Sequence, residues 1–293
     1  MMLGARTAAW EKAGGPTHPV YGGLCFTAEA ANSSVQLTAV GSAPAVTLVK
    51  SFDGVNWEDY AVGEVIDLPS IGKYVYLAAG ESGNETFGSS ASNYHKFVIN
   101  GSVAASGDIT SLISFDLGHT TLAAYCYNGM FYGCTGLTSA PELPATTLAV
   151  SCYSRMFQGC TGLTSAPELP ATTLANYCYR SMFQGCTGLT SAPELPATTL
   201  ADSCYNRMFY GCTGLTSAPE LPATTLANSC YRSMFQGCTH LALIKVHFTA
   251  WGNQTSGWVS NVVSTGTFYK PRVLPEQYGI DKIPTGWTVM NID

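Results

Sequence analysis

A 13-residue string, LTSAPELPATTLA, occurs four times in this chain, beginning at Leu137, Leu163, Leu189 and Leu215. Successive starts lie 26 residues apart (163−137, 189−163, 215−189). Between the copies runs xxCYxxMFxGCTG, found five times with its first Cys at 126, 152, 178, 204 and 230; the last copy ends in His240. Partial copies flank the array: Leu117 and Leu122 keep register with Leu143 and Leu148, and Leu241 with Leu215, before the pattern dissolves. A unit of this length cannot bury its own apolar face, but stacked copies share a continuous core. The repeat predicts a solenoid.

Within each unit the sequence reads as an extended stretch, a proline corner and a short helix. Pro141 and Pro144 lack a backbone donor and keep the strand short. Over 150–160, Cys152, Met156 and Cys160 fall at i, i+4, i+8, with Tyr153 and Phe157 beside them, the apolar stripe of a helix. The fold class expected is therefore mixed α/β: a leucine-rich-repeat solenoid of 26-residue units, each a short strand plus a short helix. Before the array, runs at 35–40, 45–49 and 73–77 alternate or are β-branched and aromatic, between Gly, Pro, Asn and Asp clusters. They predict a small all-β, immunoglobulin-like sandwich over 21–106. The remaining divisions are an N-terminal arm, 1–20, the solenoid, 107–250, and a C-terminal cap, 251–293, in which Trp251, Trp258, Phe268 and Trp287 cover the end of the stack.

The residues resemble a known family. Units of the form L-T-S…(I/L)P…(A/M)F-x-G-C, with Met156, Phe157, Gln158, Gly159 and Cys160 on the motif, are similar to the BspA-type leucine-rich repeats of bacterial surface proteins. The likeness covers about 107–250, and the present unit is a few residues longer in its Glu-Leu-Pro-Ala-Thr-Thr-Leu portion. The stretch from Gly266 through Pro271 to Ile283 and Val289 resembles the closing segment of such proteins from gut anaerobes and their phages. The start at 3–10 resembles phage structural proteins. The resemblance implies a non-enzymatic attachment protein, a phage tail-fibre or receptor-binding component. A bacterial surface adhesin and a structural virion decoration protein are the alternatives. Implied partners are a host surface glycan or protein, and other virion or surface-assembly subunits through the N-terminal region; a homo-oligomer is compatible with the repeat. The location implied is the virion or the bacterial cell surface.

Composition narrows the classes further. Apolar residues make up 46% and charged residues 11% of the 293, which excludes a disordered chain. A formal net charge of −6 with 13 scattered basic residues argues against nucleic acid as partner. No run reaches the ~20 apolar residues of a membrane-spanning helix, and 1–20 lacks the apolar stretch of a secretory signal. No membrane insertion is expected.

The eleven cysteines suggest a disulfide scaffold until their spacing is considered. Ten form pairs eight apart: Cys126 and Cys134, Cys152 and Cys160, Cys178 and Cys186, Cys204 and Cys212, Cys230 and Cys238. On a helix such a pair stands ~12 Å apart, beyond the ~7 Å a disulfide spans. They are expected to be reduced and buried, as is Cys25, and no CxxC or neighbouring His suggests a metal.

Two faces are candidates for binding. The copies differ at 150, 151, 154, 155 and 158 and their equivalents, opposite the expected Cys/Met stripe. The candidate ridge comprises Tyr125, Tyr132, Arg155, Gln158, Tyr177, Arg180, Gln184, Arg207, Tyr210, Arg232 and Gln236, residue types suited to adaptable polar contacts with aromatic anchors. Drift at exposed sites explains the same variation. The invariant face carries Glu142, Glu168, Glu194 and Glu220, an acidic ladder readable as a solvated face or a cation ladder. For catalysis, the five histidines lie outside the regular units and no GxSxG, HExxH or phosphate-cradling loop occurs. No enzyme, cofactor or metal is expected.

Overall fold

The computed structural model describes residues 21–292; the arm at 1–20, with its phage-like start, lies outside the described residues. Eight strands precede the repeats: β1 (Cys25–Ala28), β2 (Ser33–Val40), β3 (Leu48–Ser51), β4 (Glu58–Tyr60), β5 (Val65–Leu68), β6 (Tyr74–Ala79), β7 (Tyr94–Asn100) and β8 (Val103–Ser106). Alternation along β2 turns Val35 and Leu37 inward. The strands form two sheets, one ordered β5-β2-β7 and one containing β4-β3-β6-β1-β8. Their inner faces, including Phe26, Val75 and Leu77 against Val35, Ile66 and Phe97, share one core. Between β3 and β4, Asp53 accepts from the amides of Val55 (2.8 Å) and Asn56 (2.7 Å). Those bonds hold its carboxyl well below the usual range. They shape a turn that seats Trp57 against Tyr21 and Phe115.

The sandwich runs directly into the array. Its edge strand β8 pairs in parallel with β9 (Leu137–Ser139) of the first repeat. The Ile109 amide donates to the Glu142 carbonyl, and the Glu142 amide to that of Gly107. The first coil thereby covers a sheet edge that would otherwise invite non-native pairing.

The expected helices do not form. Among the described residues there is no α-helix, and the chain is a β-solenoid attached to a β-sandwich. The segments read as helical are ladders of consecutive turns. In 151–160 every second amide bonds three residues back: Ser154 to Ser151, Met156 to Tyr153, Gln158 to Arg155, Cys160 to Phe157. The alternate amides cross to the next coil: Tyr153 to Cys178 (3.0 Å), Arg155 to Arg180 (2.8 Å), Phe157 to Met182 (2.9 Å), Gly159 to Gln184 (2.8 Å). Every fourth residue is left-handed. Ser151 and Arg155 have φ of 56° and 58°, and Gly159 has 77°. The next coils repeat this at Tyr177, Ser181 and Gly185, and at Ser203, Arg207 and Gly211. A helix excludes that conformation, whereas the third position of a type II turn requires it.

The i, i+4 apolar spacing fits either structure, because a four-residue turn unit also returns one side chain in four to the same side. Each non-glycine residue in the left-handed region costs about 1–2 kcal/mol. The inter-coil hydrogen bonds contribute about 0.5–1.5 kcal/mol each, so the two roughly balance. Burial of Cys152, Tyr153, Met156, Phe157 and Cys160, all inaccessible to solvent, tips the result.

Two aromatic columns run along the axis. Tyr127, Tyr153, Tyr179, Tyr205 and Tyr231 stack with centroids 5.8–6.1 Å apart. Phe131, Phe157, Phe183, Phe209 and Phe235 stack at 5.3–5.8 Å. Both columns continue beyond the repeats. Phe87 and Phe97 extend them into the sandwich, and Phe248 and Trp258 extend them toward the C-terminus.

Past Leu241 the coils also continue, where the repeat sequence fades. β10 (Ser217–Leu221), β11 (Leu243–Val246), β12 (Thr267–Lys270) and β13 (Thr288–Asn291) form a parallel sheet in chain order. The rungs shorten from 26 to 24 to 21 residues (243−217, 267−243, 288−267). The segment 251–293 thus supplies further rungs as well as an end. Its Trp258, Phe268 and Trp287 are buried and Trp251 half-buried, with each indole N–H donating to a carbonyl.

Candidate functional site

The coil has two long outer sides. Leu137 and Leu143 face inward from one and Tyr153, Met156 and Phe157 from the other, into a single core. Glu142 and its equivalents therefore point out on one side and the variable positions on the opposite side.

The variable side is less uniform than expected. Ser151, Ser154, Ser181, Ser203 and Ser233 are buried between coils. Asn176 accepts from the Asp202 amide, and Asp202 from the Asn228 amide, both at 3.1 Å. These positions build an inter-coil ladder. Arg155 is half-buried, donates to the Ala91 carbonyl and lies over the Tyr94 ring at 5.5 Å, fastening the array to the sandwich. Tyr125 is half-buried in a left-handed turn position. Tyr132 is 37% exposed beneath Lys96, 5.7 Å from its centroid. Gln158, Gln184 and Gln236 are half-buried, and the carbonyl oxygen of the Gln158 side chain is enclosed.

Apart from Tyr132, the candidate residues that remain open form a strip of Tyr177, Arg180, Arg207 and Arg232, with Tyr210 half-exposed at its margin. Arg180 lies over the Tyr177 ring at 5.9 Å, an aromatic and guanidinium pair on a backbone bonded to the next coil at Tyr177 and Ser181. The Arg155 anchor and the Asn/Asp ladder were not legible beforehand, because both depend on which residues neighbouring coils bring together. The regular return of Gly159, Gly185, Gly211 and Gly237, all at positive φ, is the sequence signal for turns that a helical reading passes over.

On the other side Glu142, Glu168, Glu194 and Glu220 are all exposed. No backbone hydrogen bond joins 167–170 to 193–196 among the described residues. Proline supplies no amide there, and clefts open between coils. One cleft, of about 440 Å³, is lined by Pro141, Glu142, Pro144, Pro167, Glu168 and Pro170. The next, of about 390 Å³, is lined by the equivalents including Pro193, Glu194 and Pro196. β11 has no proline, and there the ladder closes. Glu220 lies 3.0 Å from Lys245 and also bonds His247, and these donors lower its pKa in that order. Both cations lie beyond the regular repeats, where the sequence does not mark them as partners of the acidic ladder.

All ten paired cysteines, and Cys25, are buried and free. Desolvation pushes the thiols of Cys126, Cys134, Cys186, Cys204, Cys230 and Cys238 up to about 12, and Cys152, Cys160, Cys178 and Cys212 are also raised. Among the described residues no three His, Cys, Asp or Glu side chains converge as a metal-binding set, and no helix is long and apolar enough to cross a membrane. Comparison with family models, curated proteins and solved structures finds no match.

Proposed function

We propose that this chain is a non-enzymatic attachment protein whose solenoid presents the open strip around Tyr177, Arg180, Arg207, Tyr210 and Arg232 to a glycan or protein on a host surface. The observation carrying this reading is the pairing of exposure with variation. On turns otherwise repeated nearly residue for residue, an aromatic ring and three guanidinium groups stand open to solvent. A backbone hydrogen-bonded between coils holds them, and Tyr and Arg are the types that anchor interfaces.

Within this reading the resemblance to BspA-type repeats, and to phage structural proteins at 3–10, favours a phage tail-fibre or receptor-binding component on the virion. The repeat residues alone favour a bacterial surface adhesin. A virion decoration protein needs no ligand on the strip. The test is cell adsorption by a variant with Tyr177, Arg180, Arg207 and Tyr210 all replaced by Ala. Adsorption should fall at least tenfold with the circular dichroism spectrum unchanged; adsorption equal to wild type refutes an attachment role for the strip.

A further inference from the structure

The geometry points to side-by-side self-association, in which the arginine strip of one copy lies over the glutamate face of a second copy. Both faces repeat once per coil and carry opposite charge. On the variable side the charged groups of the four repeats are Arg155, Arg180, Asp202, Arg207 and Arg232; on the other, one Glu per repeat.

Internal contacts occupy part of each row, at opposite ends. Arg155, in the first repeat, is bonded to Ala91 and packed on Tyr94. Glu220, in the fourth, is taken by Lys245 and His247. That leaves Arg180, Arg207 and Arg232 against Glu142, Glu168 and Glu194, three groups facing three with an offset of one coil. A parallel copy shifted by one coil pairs Arg180 with Glu142, Arg207 with Glu168 and Arg232 with Glu194. Reversing the axis keeps Arg207 with Glu168 as the central pair.

The receiving face is shaped for such side chains. The clefts between Pro141–Pro144, Pro167–Pro170 and Pro193–Pro196 stand beside the three free carboxylates, with proline rings as walls. A guanidinium is planar and forked, suited to lying on a ring while donating to a carboxylate. Asp202 lies four positions before Asn206, at the margin of the arginine row, and accepts from the Asn228 amide. The arginines stand one per coil at alternating adjacent turn positions, 27 and 25 residues apart, against carboxylates 26 apart, so one good pair brings the others within reach of their partners. Because the two faces differ, the contact is heterologous and propagates into a row. The end copy keeps an open strip, so the arrangement is compatible with attachment and does not depend on it.

The test is sedimentation of the full chain without cells or glycan, at ionic strengths of about 0.01 M and 1 M, where charges act over ~30 Å and ~3 Å. Wild type should sediment above its 31.0 kDa monomer at low salt and as monomer at high salt. Replacing Glu142, Glu168 and Glu194 by Lys should leave a monomer at both, as should replacing Arg180, Arg207 and Arg232 by Glu. An equimolar mixture of the two variants should associate again, since each restores the other's missing charge. Unchanged melting temperatures establish that both fold. Wild type monomeric at low salt, or a mixture that stays monomeric, overturns the proposal. Neither result bears on adsorption by the strip variant.

Discussion

The Sγ of Cys160 donates to the carbonyl of Phe131, one coil back, at 3.0 Å. The same bond joins Cys186 to Phe157, Cys212 to Phe183 and Cys238 to Phe209. Four of the ten repeat cysteines thus link neighbouring coils as weak donors while filling core volume. With their thiolates disfavoured by burial, they should be unreactive in the native state. A thiol reagent at pH 8 should modify none of the eleven at an appreciable rate, and all eleven after denaturation. Rapid native labelling of even two would contradict the buried, unpaired arrangement.

The glycines separate a turn ladder from a helix by the sign of an effect. Gly185 has φ of 75° and room for a Cβ, the nearest atom outside its neighbours lying 3.9 Å away. In a helix Gly→Ala stabilises by about 1 kcal/mol; in the left-handed region it costs about 1–2 kcal/mol. Gly185→Ala should therefore lower stability by about 1 kcal/mol in urea unfolding. Gly188→Ala should lower it further, because its Cβ would sit 2.6 Å from the Thr161 carbonyl oxygen.

The tyrosine column predicts unequal costs for one chemical change. Tyr127 donates its hydroxyl to the Ile109 carbonyl at 3.2 Å, whereas the hydroxyls of Tyr153, Tyr179 and Tyr205 are buried without a protein partner. Losing a made hydrogen bond costs about 1 kcal/mol, while removing a buried hydroxyl with no partner is neutral or stabilising. Tyr127→Phe should lower the denaturation midpoint; Tyr179→Phe should leave it unchanged or raise it. Equal losses at both positions would show that the interior hydroxyls are satisfied.

His95 gives the sandwich a pH dependence. It is 3% exposed, packs edge-on against Phe87, and burial lowers its pKa below the ordinary value of 6.5. The folded state then prefers the neutral ring, while the unfolded chain takes up a proton as pH falls through 6.5. Stability should decline on acidification from pH 6.5 until the depressed folded pKa is passed. His95→Gln should flatten that decline, read as melting temperature against pH.

The solenoid was legible because a 26-residue repeat of leucines and aromatics has few ways to bury its apolar side. The strands before it were legible from alternation. The turn ladder was not legible, because Cys152, Met156 and Cys160 have a spacing that helices and four-residue turns share. What separates them is backbone conformation at Ser151 and Arg155, residues with no marked preference for a left-handed φ. The candidate strip was legible as variation on one side. Its reduction to Tyr177, Arg180, Arg207, Tyr210 and Arg232 was not, because Ala91 and Tyr94, which occupy Arg155, are distant in sequence. Nor did the sequence show where the coils end, since β12 and β13 keep the rung geometry without the repeat motif.

The most direct test of the turn-ladder solenoid is the set of Cα chemical shifts across 151–160 and 177–186 in solution. The fold described here predicts no continuous helical run, with deviations interrupted at Ser151, Arg155 and Gly159 and again at Tyr177, Ser181 and Gly185. An unbroken helical deviation through either segment would contradict it.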